Sequence, residues 1–231
     1  MRLGPTSNRT FFEVKKMKLL CPSMMCADFD SLKIEVENLD ESGIDIFHCD
    51  VMDGTFVPNF TMGINDIKTI RKNTNKLVDC HLMVENPSSK IDLFIDAGVD
   101  LLYIHPESER YVSKTLNYIK SKGKLAGLAI NPDTSIESIN EILPYCDYIL
   151  VMTVNPGFAG QNFIESTLSK IEKLIDLRSK FSYKIMIDGA CSPQVIKKLS
   201  RLGCDGFILG TSALFGKEKS YKHIVKELQK I

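Results

Sequence analysis

The chain has 231 residues, of which 44% are hydrophobic and 25% are charged, a composition typical of globular proteins. Its 29 basic and 29 acidic residues balance, so no net field points to nucleic acid or to an anionic membrane as a partner. The chain contains no run of about 18 apolar residues, so the sequence predicts no transmembrane helix. Seven scattered cysteines without a C-x-x-C pair favour reduced thiols in a cytoplasmic protein over a disulfide framework.

Residues 1–16 do not follow the periodic pattern of the rest of the chain. The first ten are basic and free of acids, as in a targeting peptide, but they contain no apolar core segment. We interpret residues 1–16 as an N-terminal extension, either native or added by cloning. Met17 is then a plausible natural start, and we expect residues 17–231 to form the folded domain.

From residue 17 onward, short apolar runs alternate with amphipathic stretches of helical period. The pattern predicts eight strands, within residues 18–22, 44–50, 76–83, 100–105, 124–130, 147–154, 183–188 and 205–210. Clear helical segments lie between them, at residues 32–39, 91–97, 136–143, 168–177 and 195–202.

Capping residues support these boundaries. Ser192 before Pro193 is a typical helix start, and Ser135 precedes the helix predicted at residue 136. Glycines mark the ends of helices before strands, at Gly43, Gly98, Gly123 and Gly203. Eight β-α units without a linker predict one domain with a parallel sheet covered by helices. We expect a TIM (β/α)8 barrel, because closure leaves no edge strand. An open doubly wound sheet is the alternative.

Polar side chains gather at the predicted carboxyl ends of the strands, where barrels of this kind carry their active sites. Strand alternation puts Ile44, His48 and Asp50 on the inner face, while His81 ends the third strand and Asp188 ends the seventh. Two imidazoles and two carboxylates on one rim suit Zn²⁺, and also Fe²⁺, Mn²⁺ or Co²⁺. A set of hydrogen-bonded structural residues is the alternative.

Other residues of this rim have less direct interpretations. Cys49 and Cys80 flank the candidate ligands but have the opposite strand parity, so we expect them to face the helix layer as small hydrophobic residues. His105 ends the fourth strand and is either a residue behind the ligands or a structural one. His223 lies in the last helix and is expected at the surface.

Three methionines, Met52, Met83 and Met152, also lie at strand ends. Methionine at such positions is usually core filler. Met52 and Met83, however, share the parity of the two histidines. This favours an apolar collar that would exclude water from a reactive anion.

Glycine-rich turns follow the last three strands and read N-P-G-F-A-G-Q, D-G-A and G-T-S-A-L-F. They contain no Lys or Arg, and their backbone N–H groups predict a phosphate held by backbone dipoles. We expect a short helix at residues 211–215 and a loop at residues 157–160 that can close over the site.

Several segments resemble the ribulose-phosphate 3-epimerase family over nearly the whole chain, from about residue 20: P-S-M-M-C-A-D-F, H-C-D-V-M-D-G-T-F-V-P-N, D-C-H-L-M-V, V-M-T-V-N-P-G-F-A-G-Q and I-D-G. The resemblance implies a TIM barrel of the ribulose-phosphate-binding type. It also implies an isomerase of the pentose phosphate pathway that interconverts D-ribulose 5-phosphate and D-xylulose 5-phosphate. One divalent metal ion per subunit, with zinc favoured, and a homodimer are implied as well.

The motifs also imply residue roles. The implied metal ligands are His48, Asp50, His81 and Asp188, with Asp50 as proton acceptor and Asp188 as proton donor. One carboxylate must be ionised while the other holds a proton, so we expect their pKa values to separate. The implied substrate contacts are Ser23, His81, Met52, Met83, Met152, Gly157, Phe158, Ala159, Gly160, Gly189, Ala190, Gly210 and Thr211.

Four positions depart from the family pattern. Ala159 and Ala190 stand where glycine is common, and alanine costs energy wherever the backbone needs a positive φ. Cys26 replaces a common serine. In the last turn either Thr211 or Ser212 can take the family position.

Three rival functions follow from the same pattern. A 3-epimerase of a six-carbon ketose phosphate would share every ligand. Related decarboxylases and aldolases carry D-x-K-x-x-D on the third strand, but this chain reads D-C-H-L-M-V there and lacks the lysine. A non-catalytic sugar-phosphate-binding protein is the alternative from a different class.

Overall fold

The computed structural model describes residues 18–231, so the predicted extension at residues 1–16 and the start at Met17 lie outside it. Within this range eight strands alternate with eight α-helices, as predicted. The strands are β1 (Leu19–Pro22), β2 (Ile46–Met52), β3 (Leu77–Met83), β4 (Leu101–Ile104), β5 (Leu125–Ile130), β6 (Tyr148–Met152), β7 (Lys184–Asp188) and β8 (Gly206–Leu209). The helices are α1 (Leu32–Ser42), α2 (Ile64–Lys72), α3 (Ile91–Asp96), α4 (Val112–Ser121), α5 (Ile136–Ile139), α6 (Thr167–Leu177), α7 (Pro193–Leu202) and α8 (Tyr221–Lys230).

The strands form one parallel sheet that closes on itself. Their order is β1-β8-β7-β6-β5-β4-β3-β2. At its two ends β1 and β2 meet, because the Asp45 N–H donates to the Leu20 carbonyl at 2.9 Å and Ser23 forms a parallel bridge with His48. The predicted barrel is confirmed and the open doubly wound sheet is excluded.

Strand alternation separates two apolar layers. β2 is buried along its whole length, as expected of a strand covered on both faces. Cys49 and Cys80 pack in the layer between strands and helices, as predicted, whereas Ile46 and Tyr103 belong to the barrel interior. The prediction that Ile44 faces inward is wrong. It precedes β2 and packs in the outer layer, because the bend at Asp45 interrupts the alternation between Ile44 and the strand.

The predicted helix starts are present. The side-chain oxygens of Ser192 and Ser135 accept hydrogen bonds from the N–H groups of Val195 and Ser138. α5 is shorter than predicted, because Pro144 has no N–H to donate to the carbonyl of Asn140, and residues 143–145 form a 3₁₀ turn instead. No helix in the described range combines the length and apolarity needed to cross a bilayer.

The predicted short helix at residues 211–215 is wrong. These residues form turns, in which the N–H groups of Ala213, Leu214 and Phe215 all point at the single carbonyl of Gly210. Successive carbonyls must accept these bonds in an α-helix, so this convergence does not propagate. The segment still ends β8 at the rim of the barrel.

Gly127 makes room for the ring of Tyr103 inside the barrel. A Cβ atom on Gly127 would lie 2.2 Å from this fully buried ring. We therefore expect Gly127→Ala to lower the free energy of unfolding by about 1–3 kcal/mol, measured by urea denaturation. In a chain that already carries Tyr103→Leu, which removes the ring, Gly127→Ala should cause a much smaller loss than it causes in the parent. Strictly additive losses in the double variant would contradict the packing explanation.

Candidate active site

Four titratable side chains meet at the carboxyl end of the barrel. His48 and Asp50 come from β2, His81 from β3, and Asp188 is the last residue of β7. One nitrogen or oxygen atom from each lies within 4.8 Å of the other three. The register of β2 and β3 pairs Asp50 directly with His81, which places these groups at one level of the barrel.

The facing atoms leave a gap between them. Asp50 Oδ1 lies 3.2 Å from both His48 Nε2 and His81 Nδ1. Asp188 Oδ2 lies 3.9 Å from His48 Nε2 and 3.6 Å from His81 Nδ1. Tetrahedral ligands of a divalent ion, at about 2.1 Å from it, stand about 3.4 Å apart. The spacing of the four atoms therefore suits one ion of this size.

The environment of His48 also fits a metal ligand. Its ring is fully buried, and Nε2 faces the gap, where Asp50 Oδ1 lies 3.2 Å away. On the other side of the ring, Nδ1 lies 2.6 Å from Asp79 Oδ1. A carboxylate behind an imidazole fixes the tautomer and leaves the opposite nitrogen free to bind a metal.

Sequence reasoning gave no role to Asp79, although a signal for it is present. Asp79 has the strand parity of His81, so it faces the interior, and it interrupts an otherwise apolar run. A fully buried carboxylate without a partner is costly, which by itself predicts a neighbouring imidazole or cation. His48, its register partner across β2 and β3, is that neighbour.

The pKa values of the two aspartates in the cluster shift in opposite directions. Burial alone would raise the pKa of Asp50, but the imidazoles of His48 and His81 hold it well below its ordinary value. Burial, together with the negative charge of Asp50, raises the pKa of Asp188 to about 7. At neutral pH Asp50 is therefore ionised, whereas Asp188 lies near the midpoint of its titration.

The two histidines also differ. Burial alone would lower the pKa of His48, but the carboxylates of Asp79 and Asp50 raise it well above its ordinary value. Burial lowers the pKa of His81 to about 4, against the opposing effect of Asp50. His81 is thus neutral at physiological pH. A divalent ion that binds at this gap would replace the proton of His48.

A cleft opens above this cluster at the carboxyl end of the barrel. Asp50 and Asp188 line its floor, whereas His48 and His81 lie beneath it and do not line it. The other predicted substrate contacts all line the cleft: Ser23, Met52, Met83, Met152, Gly157, Phe158, Ala159, Gly160, Gly189, Ala190, Gly210 and Thr211. Cys26 and Ser212 line it as well.

One end of the cleft is built from the turns after β6, β7 and β8. None of the described residues that line the cleft is Lys or Arg. Gly157 and Gly160 have φ values of 120° and 82°, which glycine adopts without strain. The Asn59 side chain donates to the Gly157 carbonyl at 2.7 Å and so ties the loop after β2 to the loop after β6. An anion at this end would meet backbone N–H groups rather than cationic side chains.

Ser23, predicted as a substrate contact, is engaged with the cluster. Its hydroxyl donates a hydrogen bond of 2.5 Å to Asp50 Oδ2. This bond holds the carboxylate with Oδ1 turned toward the two histidines. Ser23 therefore positions Asp50 and also faces the cleft.

The two alanines at family glycine positions differ in backbone conformation. Ala190 has φ 49°, in the left-handed region where a Cβ atom is strained. Ala159 is outside that region, since Asn86 and Ala190 are the described non-glycine residues with positive φ. Only Ala190 therefore carries the conformational cost expected of such a replacement.

This difference predicts opposite effects of two glycine substitutions. Ala190→Gly should raise the free energy of unfolding by about 1 kcal/mol, because it removes the left-handed strain. Ala159→Gly, the matched control, should be neutral or destabilising, because it only adds freedom to the unfolded chain. Thermal and urea unfolding measure both. Destabilisation by Ala190→Gly would show that the alanine conformation carries no strain.

Known proteins resemble this chain over most of its length. The model of the ribulose-phosphate 3-epimerase family matches residues 19–215. The ribulose-phosphate 3-epimerase of Aquifex aeolicus is 41% identical over 87% of this chain and 90% of its own length. The enzyme of the same name from Treponema pallidum is 36% identical over 87% of this chain and 93% of its own. The chloroplastic ribulose-5-phosphate-3-epimerase of Arabidopsis thaliana is 37% identical over 91% of this chain and 76% of its own.

Solved structures share the fold at low sequence identity. A 3-hexulose-6-phosphate synthase from Salmonella typhimurium superposes with a TM-score of 0.65 at 18% identity, over 93% of this chain and 97% of its own. Tryptophan synthase subunit alpha from Legionella pneumophila gives 0.62 at 14% identity, over 92% of each chain. These likenesses support the barrel alone. The sequence relatives go further, and they show that the chain belongs to the ribulose-phosphate 3-epimerase family of isomerases.

Proposed function

We propose that this chain is a metal-dependent 3-epimerase that interconverts D-ribulose 5-phosphate and D-xylulose 5-phosphate. The observation that carries the proposal is that the carboxylates of Asp50, which is buried, and Asp188, which is 16% exposed, face one gap with separated pKa values, beneath a cleft lined by glycine turns. The names of the sequence relatives support this substrate. The pathway is then the pentose phosphate pathway.

Inversion at C3 requires one group to remove a proton and another to return one from the opposite side. The C3 proton is acidified by the neighbouring C2 ketone, and its loss gives a planar 2,3-enediolate. Asp50, ionised at neutral pH, acts as the proton acceptor, and Asp188 acts as the donor. They come from separate strands, β2 and β7, and so can act on two sides of a plane. In the reverse direction their roles exchange.

The residues that would hold a metal ion are His48, Asp50, His81 and Asp188. When bound there, a divalent ion supplies positive charge against the oxygens of the enediolate, an effect worth several kcal/mol. Nitrogen and oxygen donors suit Zn²⁺, with Fe²⁺, Mn²⁺ and Co²⁺ as alternatives. Zinc remains the proposed native metal.

The methionines complete the site. Met52, Met83 and Met152 line the cleft and are 6%, 2% and 3% exposed. Their thioethers present an apolar surface that limits water near the intermediate. The phosphate group is assigned to the turns that contain Gly157, Gly189 and Gly210, and Asn59 fastens the first of these turns.

Two wider features remain predictions. All seven cysteines are free, and six of them are buried, which fits the proposed cytoplasmic compartment. A homodimer is proposed from the resemblance to the family.

Asp50→Asn and Asp188→Asn should each lower the rate of epimerisation by at least about 10²–10⁴-fold, because each removes one proton-transfer group. In D₂O, Asp188→Asn should still exchange the C3 proton of D-ribulose 5-phosphate without inverting the centre. Asp50→Asn should do the same with D-xylulose 5-phosphate. A coupled epimerase assay and proton NMR measure both effects, with metal content determined in each variant.

Asp92→Asn on α3 is the matched control, because Asp92 is 60% exposed and outside the cleft. It should keep the parent rate. Full activity in either active-site variant would contradict the two-base scheme. Faster turnover of a six-carbon ketose phosphate by the parent would favour the alternative substrate, and no turnover of either would favour a binding protein.

Chelation should abolish epimerisation, and added Zn²⁺ or Co²⁺ should restore it. Metal affinity should fall as pH drops, because the ion must displace the proton that the raised pKa of His48 retains. Each bound proton that the metal must displace lowers the affinity about tenfold per pH unit. Calorimetric titration from neutral pH to about pH 5 measures this dependence. Full activity of a verified metal-free sample would refute the metal dependence.

A further inference from the structure

Behind His81 lies a second histidine that the proposed reaction does not use. His105 directly follows β4 and is fully buried. Its Nε2 lies 2.7 Å from His81 Nε2. The ring of Phe56 packs on His105 with a centroid distance of 4.8 Å, and the two imidazole centroids stand 4.9 Å apart. Packing therefore fixes both rings in this arrangement.

When both rings are neutral, the short contact between them is a hydrogen bond. Two N–H groups, or two lone pairs, would repel each other at 2.7 Å, so one nitrogen donates and the other accepts. The tautomers of His81 and His105 are therefore linked. If His81 offers the lone pair of Nδ1 to the gap, its Nε2 carries the proton and donates it to His105. The proton of His105 must then be on Nδ1.

A carboxylate lies where that proton points. His105 Nδ1 is 3.4 Å from Glu107 Oε2 and makes no hydrogen bond to another group. The other oxygen of Glu107 accepts a hydrogen bond from the Thr134 hydroxyl, which orients the carboxylate. The Glu107 side chain is 32% exposed and lines a groove next to the cleft. The series from the gap to this groove is His81, His105 and Glu107.

His81 needs such a partner because a competing acceptor lies on its other side. Its Nδ1 is 3.2 Å from Asp50 Oδ1. Without a group that accepts from Nε2, this carboxylate would draw the proton onto Nδ1. In that tautomer Nδ1 has no lone pair for a metal, and its N–H group donates a hydrogen bond to the Asp50 oxygen that faces the gap.

We propose that His105 and Glu107 are positioning residues that hold His81 in the tautomer whose Nδ1 binds the metal; this rests on the proposed function. Asp79 has the equivalent position behind His48, at 2.6 Å. Each candidate histidine ligand thus has its own carboxylate, in direct contact for His48 and through His105 for His81. Partners of this kind typically contribute 10–100-fold to metal affinity.

The test compares two substitutions at His105 in the metal-free full-length chain, titrated with Co²⁺. His105→Leu fills the packed site with an apolar side chain but removes the acceptor. Co²⁺ affinity should therefore fall about 10–100-fold, and the visible Co²⁺ spectrum should change. In His105→Gln the amide oxygen can still accept from His81, so affinity should stay close to the parent. Glu107→Gln should give a smaller loss than His105→Leu. His223→Leu, at an exposed histidine on α8, is the control and should bind as the parent does.

A second readout does not depend on any variant. The chain has four histidines, so imidazole ¹⁵N NMR of the zinc-loaded parent can resolve each ring. His81 should carry its proton on Nε2 and His105 on Nδ1. A His105 proton on Nε2 would overturn the proposal.

The variant data can also overturn it. Parent affinity in His105→Leu, or equal weakening in His105→Leu and His105→Gln, would show that acceptance of the His81 proton does not matter. Failure of the parent itself to bind Co²⁺ or Zn²⁺ would instead overturn the metal proposal, and this inference with it.

Discussion

Asp50 and Asp188 share one buried gap, and the repulsion between their carboxylates governs the chemistry available to the site. The charge of Asp50 adds to burial in raising the pKa of Asp188 to about 7, while two imidazoles keep Asp50 ionised. A base and an acid therefore coexist at one pH in groups of the same type. A divalent ion relieves the same repulsion, which links metal binding to the acid–base properties of the pair.

The barrel makes this arrangement possible because every strand delivers alternate side chains to the interior. β2 and β3 are in register, so His48 and Asp79 form one level and Asp50 and His81 form the next, closer to the cleft. In the lower level Asp79 orients His48, and in the upper level Asp50 lines the cleft. At the carboxyl end of β4, His105 and Glu107 extend the support of His81 toward the neighbouring groove. Rigid strands, rather than loops, hold the groups that need accurate placement.

Strand periodicity was sufficient to predict the barrel and to bring His48, Asp50, His81 and Asp188 to one rim. The same rule failed at Ile44, because a bend at Asp45 separates it from β2 and alternation does not pass through a bend. The inward position of Asp79 could have been predicted from the strand parity that it shares with His81. Glu107 could not, since its contact with His105 depends on how the chain bends after β4. The positive φ of Ala190 likewise depends on the closure of a turn, which composition does not reveal.

The central claim is that one divalent ion sits between the two aspartates and the two histidines. Anomalous X-ray diffraction from crystals of the zinc-loaded chain tests it directly. The account predicts one strong peak about 2.0–2.2 Å from His48 Nε2, His81 Nδ1, Asp50 Oδ1 and Asp188 Oδ2. A zinc peak bound elsewhere, or a gap without zinc in protein that catalyses epimerisation, would contradict it.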